Sequence, residues 1–106
     1  MNTIERTEVQ AKLGKAVIAE ILGAQYYDAG HLPGAICLPL EGLESNAARV
    51  IPDKGSEVIV YCSGPTCSNS HRAAERLARA GYTAVRVFVG GKSDWRDAGL
   101  GLEVSR

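Results

Sequence analysis

The sequence predicts an α/β domain in which a mostly parallel, twisted sheet is covered by helices on both faces. Apolar strand patterns alternate with helical patterns along the whole chain, as in sheets whose parallel strands are joined by helical crossovers. Residues 58–61 are apolar at every position, which is typical of a central strand buried on both faces. A chain of 106 residues has the size of one domain, so we expect residues 1–106 to form a single unit.

Composition argues against several classes of function. The chain has 12 basic and 12 acidic residues, and a net charge of zero disfavours a nucleic-acid partner. No apolar run approaches the roughly 20 residues of a membrane span, and the first residues do not resemble a signal peptide. We therefore expect a cytoplasmic domain without a membrane partner. Three cysteines, an odd number, predict reduced thiols that fill the core or carry chemistry.

The first half of the chain contains two predicted strands and two predicted helices. Thr7 followed by Gln10 matches a capping box, which predicts a helix over 8–13 with Thr7 as its N-cap. Apolar runs at 17–22 and 35–38 predict strands joined by a loop-rich crossover. Apolar residues at helical spacing predict a helix over 40–51, which Pro52 ends.

The second half continues the alternation. The strand at 58–61 precedes a predicted helix over 70–80, which Gly81 ends. Residues 85–89 alternate as a strand with one more polar face, and a last short helix begins at the glycine pair 90–91. Right-handed crossovers then place the loop after residue 61 at one end of the sheet.

This loop carries the strongest functional signal in the sequence. Cys62 ends the central strand at the crevice where open α/β sheets bind ligands. Backbone N–H groups of the small residues that follow, together with a helix N-terminus, would lower the pKa of the Cys62 thiol. We therefore predict a reactive thiolate at Cys62 and an anion-binding loop. The predicted loop residues are Ser63, Gly64, Pro65, Thr66, Ser68, Asn69 and Ser70.

The other cysteines have different predicted roles. Cys67 is either a resolving or redox-sensing thiol or a passive filler of the loop, because a curled Cys-x4-Cys segment can close a disulfide. Cys37 lies in an apolar strand, so we expect it in the core. A zinc site is disfavoured, because no second Cys/His pair follows at zinc-finger spacing. We predict no metal and no cofactor.

Four motifs resemble those of single-domain rhodaneses, the sulfurtransferase family. The sequence GHLPGA at 30–35 is similar to the family's G-H-I-P-G-A signature, and residues 60–62 are similar to the strand that leads to its catalytic cysteine. The helix after the loop and the G-G-x-x-x-W-x-x-A-G-L element at 90–100 are also similar. The Cys-x-Gly-Pro-x-Cys pattern at 62–67 resembles a long-loop subgroup of rhodaneses, some of them fused to bacterial repressors.

The resemblance implies sulfur transfer. Cys62 would take a sulfane sulfur from a donor such as thiosulfate or a persulfide, hold it as a persulfide, and pass it to a thiol, cyanide or a protein acceptor. A ring of N–H groups at a helix start suits such anions. No cofactor is implied.

The loop departs from the family pattern. The usual sequence is C-x-x-G-x-R-S, whereas here the counterpart of the serine is Ser70, so the loop is about two residues longer. Asn69 lies where many relatives carry an arginine that clamps the anion. The basic residues considered as replacements for this charge are His71, Arg72 and Arg86.

Other departures concern structure. The family's D-x-R aligns with residues 20–22, where Leu22 cannot form the arginine's ion pair. Lys92 and Gly101 replace an apolar residue and a proline of the closing motif, and we expect both changes to be tolerated. We expect His31 to hold its turn by hydrogen bonds rather than to act as an acid or base.

Three alternatives of function stay open. The chain is also compatible with an arsenate reductase-like protein, a redox-sensing two-cysteine protein of the same fold, or a non-catalytic rhodanese-like binding module. A phosphatase is disfavoured, because the position six residues after the nucleophile is Ser68 rather than arginine.

Overall fold

Four parallel strands form one sheet with the order β2-β1-β3-β4 in the computed structural model, which describes residues 2–104. β3 pairs with β1 and with β4, so it is central as predicted, and Tyr61 at its end lies level with Glu20 of β1 and Phe88 of β4. The strands are β1 Val17–Glu20, β2 Ile36–Cys37, β3 Glu57–Tyr61 and β4 Ala84–Phe88. The helices are α1 Arg6–Lys12, α2 Ala24–Ala29, α3 Leu43–Val50, α4 Asn69–Arg79 and α5 Gly91–Asp97.

Alternate residues of β3 face two separate hydrophobic layers. Val58 and Val60 pack in the layer that contains the apolar residues of α3 and α4. Ile59 and Tyr61 pack in the other layer, with Val9 of α1 and Trp95 of α5. Helices therefore cover both faces of the sheet, and the predicted fold class is confirmed.

The predicted start of the first helix is wrong. α1 begins at Arg6, its N-cap is Glu5, and no side chain caps it, so Thr7 lies inside the helix. The chain is fixed to the sheet just before this point, because Ile4 N donates to Val87 O (3.0 Å). This tertiary hydrogen bond, rather than a capping box, sets where the helix begins.

Three further segments differ from the sequence prediction. The crossover between β1 and β2 contains α2, which has no buried residue and therefore shows no apolar stripe. Helix α3 begins at Leu43 rather than at residue 40, because Gly42 before it has a left-handed φ of 72°. β2 is a two-residue edge strand, so Cys37 is half-buried there instead of lying in the core.

Candidate active site

The N-terminus of α5 fixes the start of the cysteine loop. Lys92 N donates to Cys62 O and Ser93 N donates to Ser63 O, both at 3.0 Å. Gly91 permits this approach, because its φ is 60° and a Cβ at this position would overlap the carbonyl oxygen of Cys62. The second glycine of the closing motif is thus required by the contact between α5 and the loop.

The two loop cysteines are joined in the structure. Cys62 and Cys67 form a disulfide with a Cα–Cα distance of 6.2 Å, which is the pairing that the Cys-x4-Cys spacing allows, although the odd number of cysteines predicted reduced thiols. Cys67 N donates to Gly64 O (3.2 Å), and this turn curls the loop so that the two sulfurs meet. Cys62 is buried, with 1% of its surface exposed. In this state Cys62 is held as a disulfide, and its thiolate would form on reduction.

The loop has several backbone N–H groups without a protein acceptor. Among the described residues, Cys67 is the one member of 63–68 whose amide donates to another protein group. Pro65 has no N–H and shapes the turn instead. The amides left without an acceptor are those of Ser63, Gly64, Thr66 and Ser68. Such groups are what an anion-binding loop offers.

Asn69 does not replace the family's arginine as an anion clamp. Its Nδ2 donates to Ile21 O at 3.2 Å, so it ties the start of α4 to the end of β1. Ser70 is buried in the first turn of α4. Both residues lie in α4, which begins at Asn69, one residue before the predicted start at Ser70.

The three basic residues proposed to replace the charge of the loop arginine lie in two different parts of the structure. Arg86 donates to both carboxylate oxygens of Glu8 (2.8 and 3.0 Å) and to Thr3 O, so its charge is used at the N-terminal segment. His71 is half-buried and Arg72 is exposed, both in the first turn of α4.

A buried ion pair beside the loop was missed from the sequence. Lys92 Nζ lies 2.9 Å from Glu20 Oε2, and Tyr61 OH donates to Glu20 Oε1 at 2.7 Å. Lys92 Nζ also donates to Tyr26 O (2.8 Å). Burial, followed by the Glu20 carboxylate, raises the pKa of Tyr61. Lys92 therefore gives Glu20 the positively charged partner that the family's arginine would supply and that Leu22, at the arginine's position, cannot. The sequence signal for this pair was Lys92 at an apolar position of the closing motif, together with Glu20 at the acidic position of a D-x-R motif that lacks its arginine.

A cleft of about 240 Å³ opens beside the loop. The apolar lining includes Leu22, Ala29 and Leu102. The polar lining includes Ser63, Lys92 and Arg96. The residue next to Cys62 thus lines a space that can admit a small molecule.

His31 has structural contacts, as expected. Its ring stacks on Tyr27 with 3.8 Å between ring centroids, and its Nδ1 lies 2.8 Å from Tyr27 O. Because a carbonyl only accepts, Nδ1 carries the proton in this hydrogen bond. Glu103 Oε1 lies 3.8 Å from Nε2. These contacts hold the turn before β2.

Residues 2–104 contain neither a metal-binding cluster nor a membrane-spanning helix. No group of three or more His, Cys, Asp or Glu side chains in that range is placed to hold a metal ion. None of the helices formed by those residues has the length and apolar character needed to cross a membrane.

Comparisons with known proteins relate the chain to sulfurtransferases and to a regulator. An HTH-type transcriptional regulator of Mycobacterium tuberculosis is 30% identical over 104 residues, which cover 96% of this chain and 45% of the regulator. A thiosulfate sulfurtransferase of Escherichia coli is 37% identical over 70 residues, which cover 66% of this chain and 64% of that enzyme.

A solved structure with the same fold extends this comparison. The crystal structure of a thiosulfate sulfurtransferase from Pseudomonas aeruginosa has a TM-score of 0.87 at 30% identity and covers all of this chain but 21% of the other. This chain therefore spans less than two thirds of the length of these three relatives. The sequence model of the rhodanese-like domain matches residues 5–98. With that match over nearly the whole chain, the resemblance of its motifs is confirmed, and the chain belongs to the rhodanese-like domain family.

Proposed function

We propose that this chain is a sulfurtransferase that carries sulfane sulfur as a persulfide on Cys62. The observation that carries the proposal is the position of Cys62, at the end of central strand β3 and at the start of a loop in which four amides lack a protein acceptor. The donor is a small sulfur anion such as thiosulfate or a persulfide, and the acceptor is a thiol or a protein. The reaction uses no cofactor, metal, nucleic acid or membrane, and we place it in the cytoplasm.

The chemistry requires a free Cys62 thiolate. This thiolate attacks the sulfane sulfur of thiosulfate, the S–S bond of the donor breaks, and sulfite leaves with the electron pair. The product is a Cys62 persulfide anion, which the free N–H groups of the loop would stabilise. An acceptor thiolate then attacks the outer sulfur, takes it as a new persulfide, and restores the Cys62 thiolate.

We propose that Cys67 is a resolving thiol. The two sulfurs are bonded in the structure, so Cys67 can reach the sulfur of Cys62. Attack of the Cys67 thiolate on Cys62 Sγ of the persulfide would form the Cys62–Cys67 disulfide and release hydrosulfide. The two thiols are oxidised and the sulfane sulfur is reduced to sulfide. An external dithiol then reduces the disulfide before the next turnover.

The disulfide also favours a second candidate function. A two-cysteine loop that is oxidised and reduced reversibly can report the redox state of its surroundings. The identity of 30% with an HTH-type regulator is compatible with such a sensing role. In this case the loop would cycle between dithiol and disulfide without taking up sulfur.

Intact-protein mass spectrometry tests the proposed function. Reduced protein, freed of reductant, is incubated with thiosulfate or an organic persulfide. We expect a gain of one sulfur in the wild type and in Cys37→Ser, and no gain in Cys62→Ser. Cys67→Ser should keep the added sulfur longer, because it cannot release hydrosulfide. If the reduced wild type gains no sulfur from either donor, the proposal fails. Reversible loss of two hydrogens alone would favour the sensor.

A further inference from the structure

The cleft beside Ser63 is lined by residues of two chemical kinds. Leu22, Ala29 and Leu102 form the apolar part of the lining, called here the apolar wall, and Arg96 is a basic residue of the lining. Ser63 directly follows Cys62, so a molecule in the cleft would lie next to the segment that carries the proposed nucleophile. A ligand that uses both kinds of residue needs an apolar portion and an anionic group.

Arg96 is the cation of this cleft whose charge is not compensated. Lys92, the other cation in the lining, is 2.9 Å from Glu20 Oε2 and donates to Tyr26 O, so its charge is already neutralised. Arg96 is exposed on α5 and forms no ion pair with any residue between 2 and 104. A planar guanidinium of this kind can bind a carboxylate with two hydrogen bonds.

Asn69 leaves the position of the family's loop arginine without a charge, because its amide is used by Ile21 O. Thiosulfate is compact and polar throughout, so it would gain nothing from the apolar wall. An organic thiol with a short carbon chain and a carboxylate would place the chain on that wall and its carboxylate on a cation.

We propose that this cleft binds the acceptor, a small organic thiol with a carboxylate, and that Arg96 is the specificity-determining residue that binds the carboxylate. The proposal rests on the proposed function, since the bound thiol is the acceptor that attacks the Cys62 persulfide. Its thiolate takes the outer sulfur, and the Cys62 thiolate leaves.

The first test measures anion preference at Cys62 without any sulfur transfer. Reduced protein is alkylated with iodoacetate or with iodoacetamide, which have nearly the same size and differ in charge, and the rate at Cys62 is followed by peptide mapping. Each rate is divided by that of free cysteine. We expect Arg96→Gln to lower the ratio of iodoacetate to iodoacetamide by about fivefold, the effect of one exposed charge.

Arg49→Gln is the matched control. Arg49 is an exposed arginine of α3 whose guanidinium donates to Asn46, and it does not line the cleft. The ratio of the iodoacetate rate to the iodoacetamide rate in Arg49→Gln should equal that of the wild type. An unchanged ratio in Arg96→Gln would overturn the assignment of Arg96 as the anion-binding residue.

The second test follows the decay of the Cys62 persulfide with 3-mercaptopropionate or with its uncharged methyl ester, at equal thiolate concentrations. We expect Arg96→Gln to raise the half-saturating concentration of the carboxylate thiol by about fivefold and leave the saturating rate and the ester unchanged. Equal effects on both thiols would overturn the proposal. Absence of any persulfide would overturn the proposed function and the role of a thiol acceptor, while the alkylation ratio still decides whether Arg96 binds anions.

Discussion

Lys92 Nζ lies 2.9 Å from Glu20 Oε2 although the two residues belong to different elements, and both side chains are buried. Glu20 ends β1, and Lys92 lies in the first turn of α5. The backbone N–H of Lys92 donates to Cys62 O. The ion pair therefore fixes α5 against the sheet at the point where α5 holds the cysteine loop. It therefore affects the site by fixing the position of α5.

Replacing Lys92 by methionine should destabilise the protein strongly. The substitution leaves the Glu20 carboxylate buried without its cation, which costs about 3 kcal/mol or more of unfolding free energy. Urea denaturation measures this change. The double variant Glu20→Gln/Lys92→Met should recover part of the loss, because it removes the uncompensated charge.

Lys12→Met is the control for that experiment. Lys12 pairs with Glu57 at 2.9 Å, but both side chains are about one third exposed, so its removal should cost less than about 1 kcal/mol. Equal losses in Lys92→Met and Lys12→Met would contradict the importance assigned to the buried pair.

Alanine substitutions at two glycines distinguish the cost of a left-handed backbone from the cost of steric overlap. Gly91 and Gly99 both have positive φ, 60° and 78°, but a Cβ at Gly99 meets nothing within 4 Å, whereas one at Gly91 overlaps Cys62 O. Gly99→Ala should cost about 1 kcal/mol from the left-handed conformation alone. Gly91→Ala should cost about 3 kcal/mol in total and displace the loop.

The measurements are urea denaturation and the rate at which the reduced Cys62 thiol reacts with iodoacetamide. Gly91→Ala should change the rate by altering the loop, while Gly99→Ala should react as the wild type does. A Gly91→Ala variant with wild-type stability and reactivity would show that α5 does not position the loop in the way inferred.

The features that were predictable from sequence are those encoded in short stretches of it. Central strand β3 was found because its residues are buried on both faces and are therefore uniformly apolar. The loop was found because Cys62 directly follows that strand and the helix begins a few residues later. Local patterns of this kind survive in the sequence without knowledge of the tertiary structure.

The features that were missed depend on contacts between distant segments. α2 buries no residue, so no apolar stripe marks it, and its backbone is held by a distant residue, since Lys92 Nζ donates to Tyr26 O (2.8 Å). The Lys92 and Glu20 pair joins two elements that the sequence does not show to be neighbours. The place of Asn69 against Ile21 O likewise depends on the sheet order.

Reduction of the loop disulfide should lower stability. A disulfide that closes a loop this short reduces the entropy of the unfolded chain, which corresponds to about 2 kcal/mol. Urea denaturation with and without a phosphine reductant should show this difference in the wild type. Cys37→Ser should show the same difference, because Cys37 is not in the disulfide, and Cys67→Ser should show none. A reductant effect in Cys67→Ser would contradict the assignment of the pair.

The ion pair between α3 and α4 should make stability depend on acidic pH. Arg76 donates through Nε and Nη2 to the two carboxylate oxygens of Glu44 (2.8 and 2.5 Å). The hydrogen bonds from Arg76, assisted by a backbone hydrogen bond, lower the pKa of Glu44 from 4.5 to about 2. Between these two values the unfolded chain binds more protons than the folded one, so stability rises with pH.

The contribution of Glu44 is thus complete above pH 4.5 and is lost as the pH falls to about 2. Glu44→Gln should have a lower urea midpoint than the wild type at pH 6, and the difference should disappear near pH 2. Glu41→Gln is the control, because Glu41 is exposed and forms no ion pair with the described residues, and its midpoint should follow the wild type throughout. A constant difference between Glu44→Gln and the wild type from pH 6 to pH 2 would mean that the charge of Glu44 does not stabilise the contact between α3 and α4.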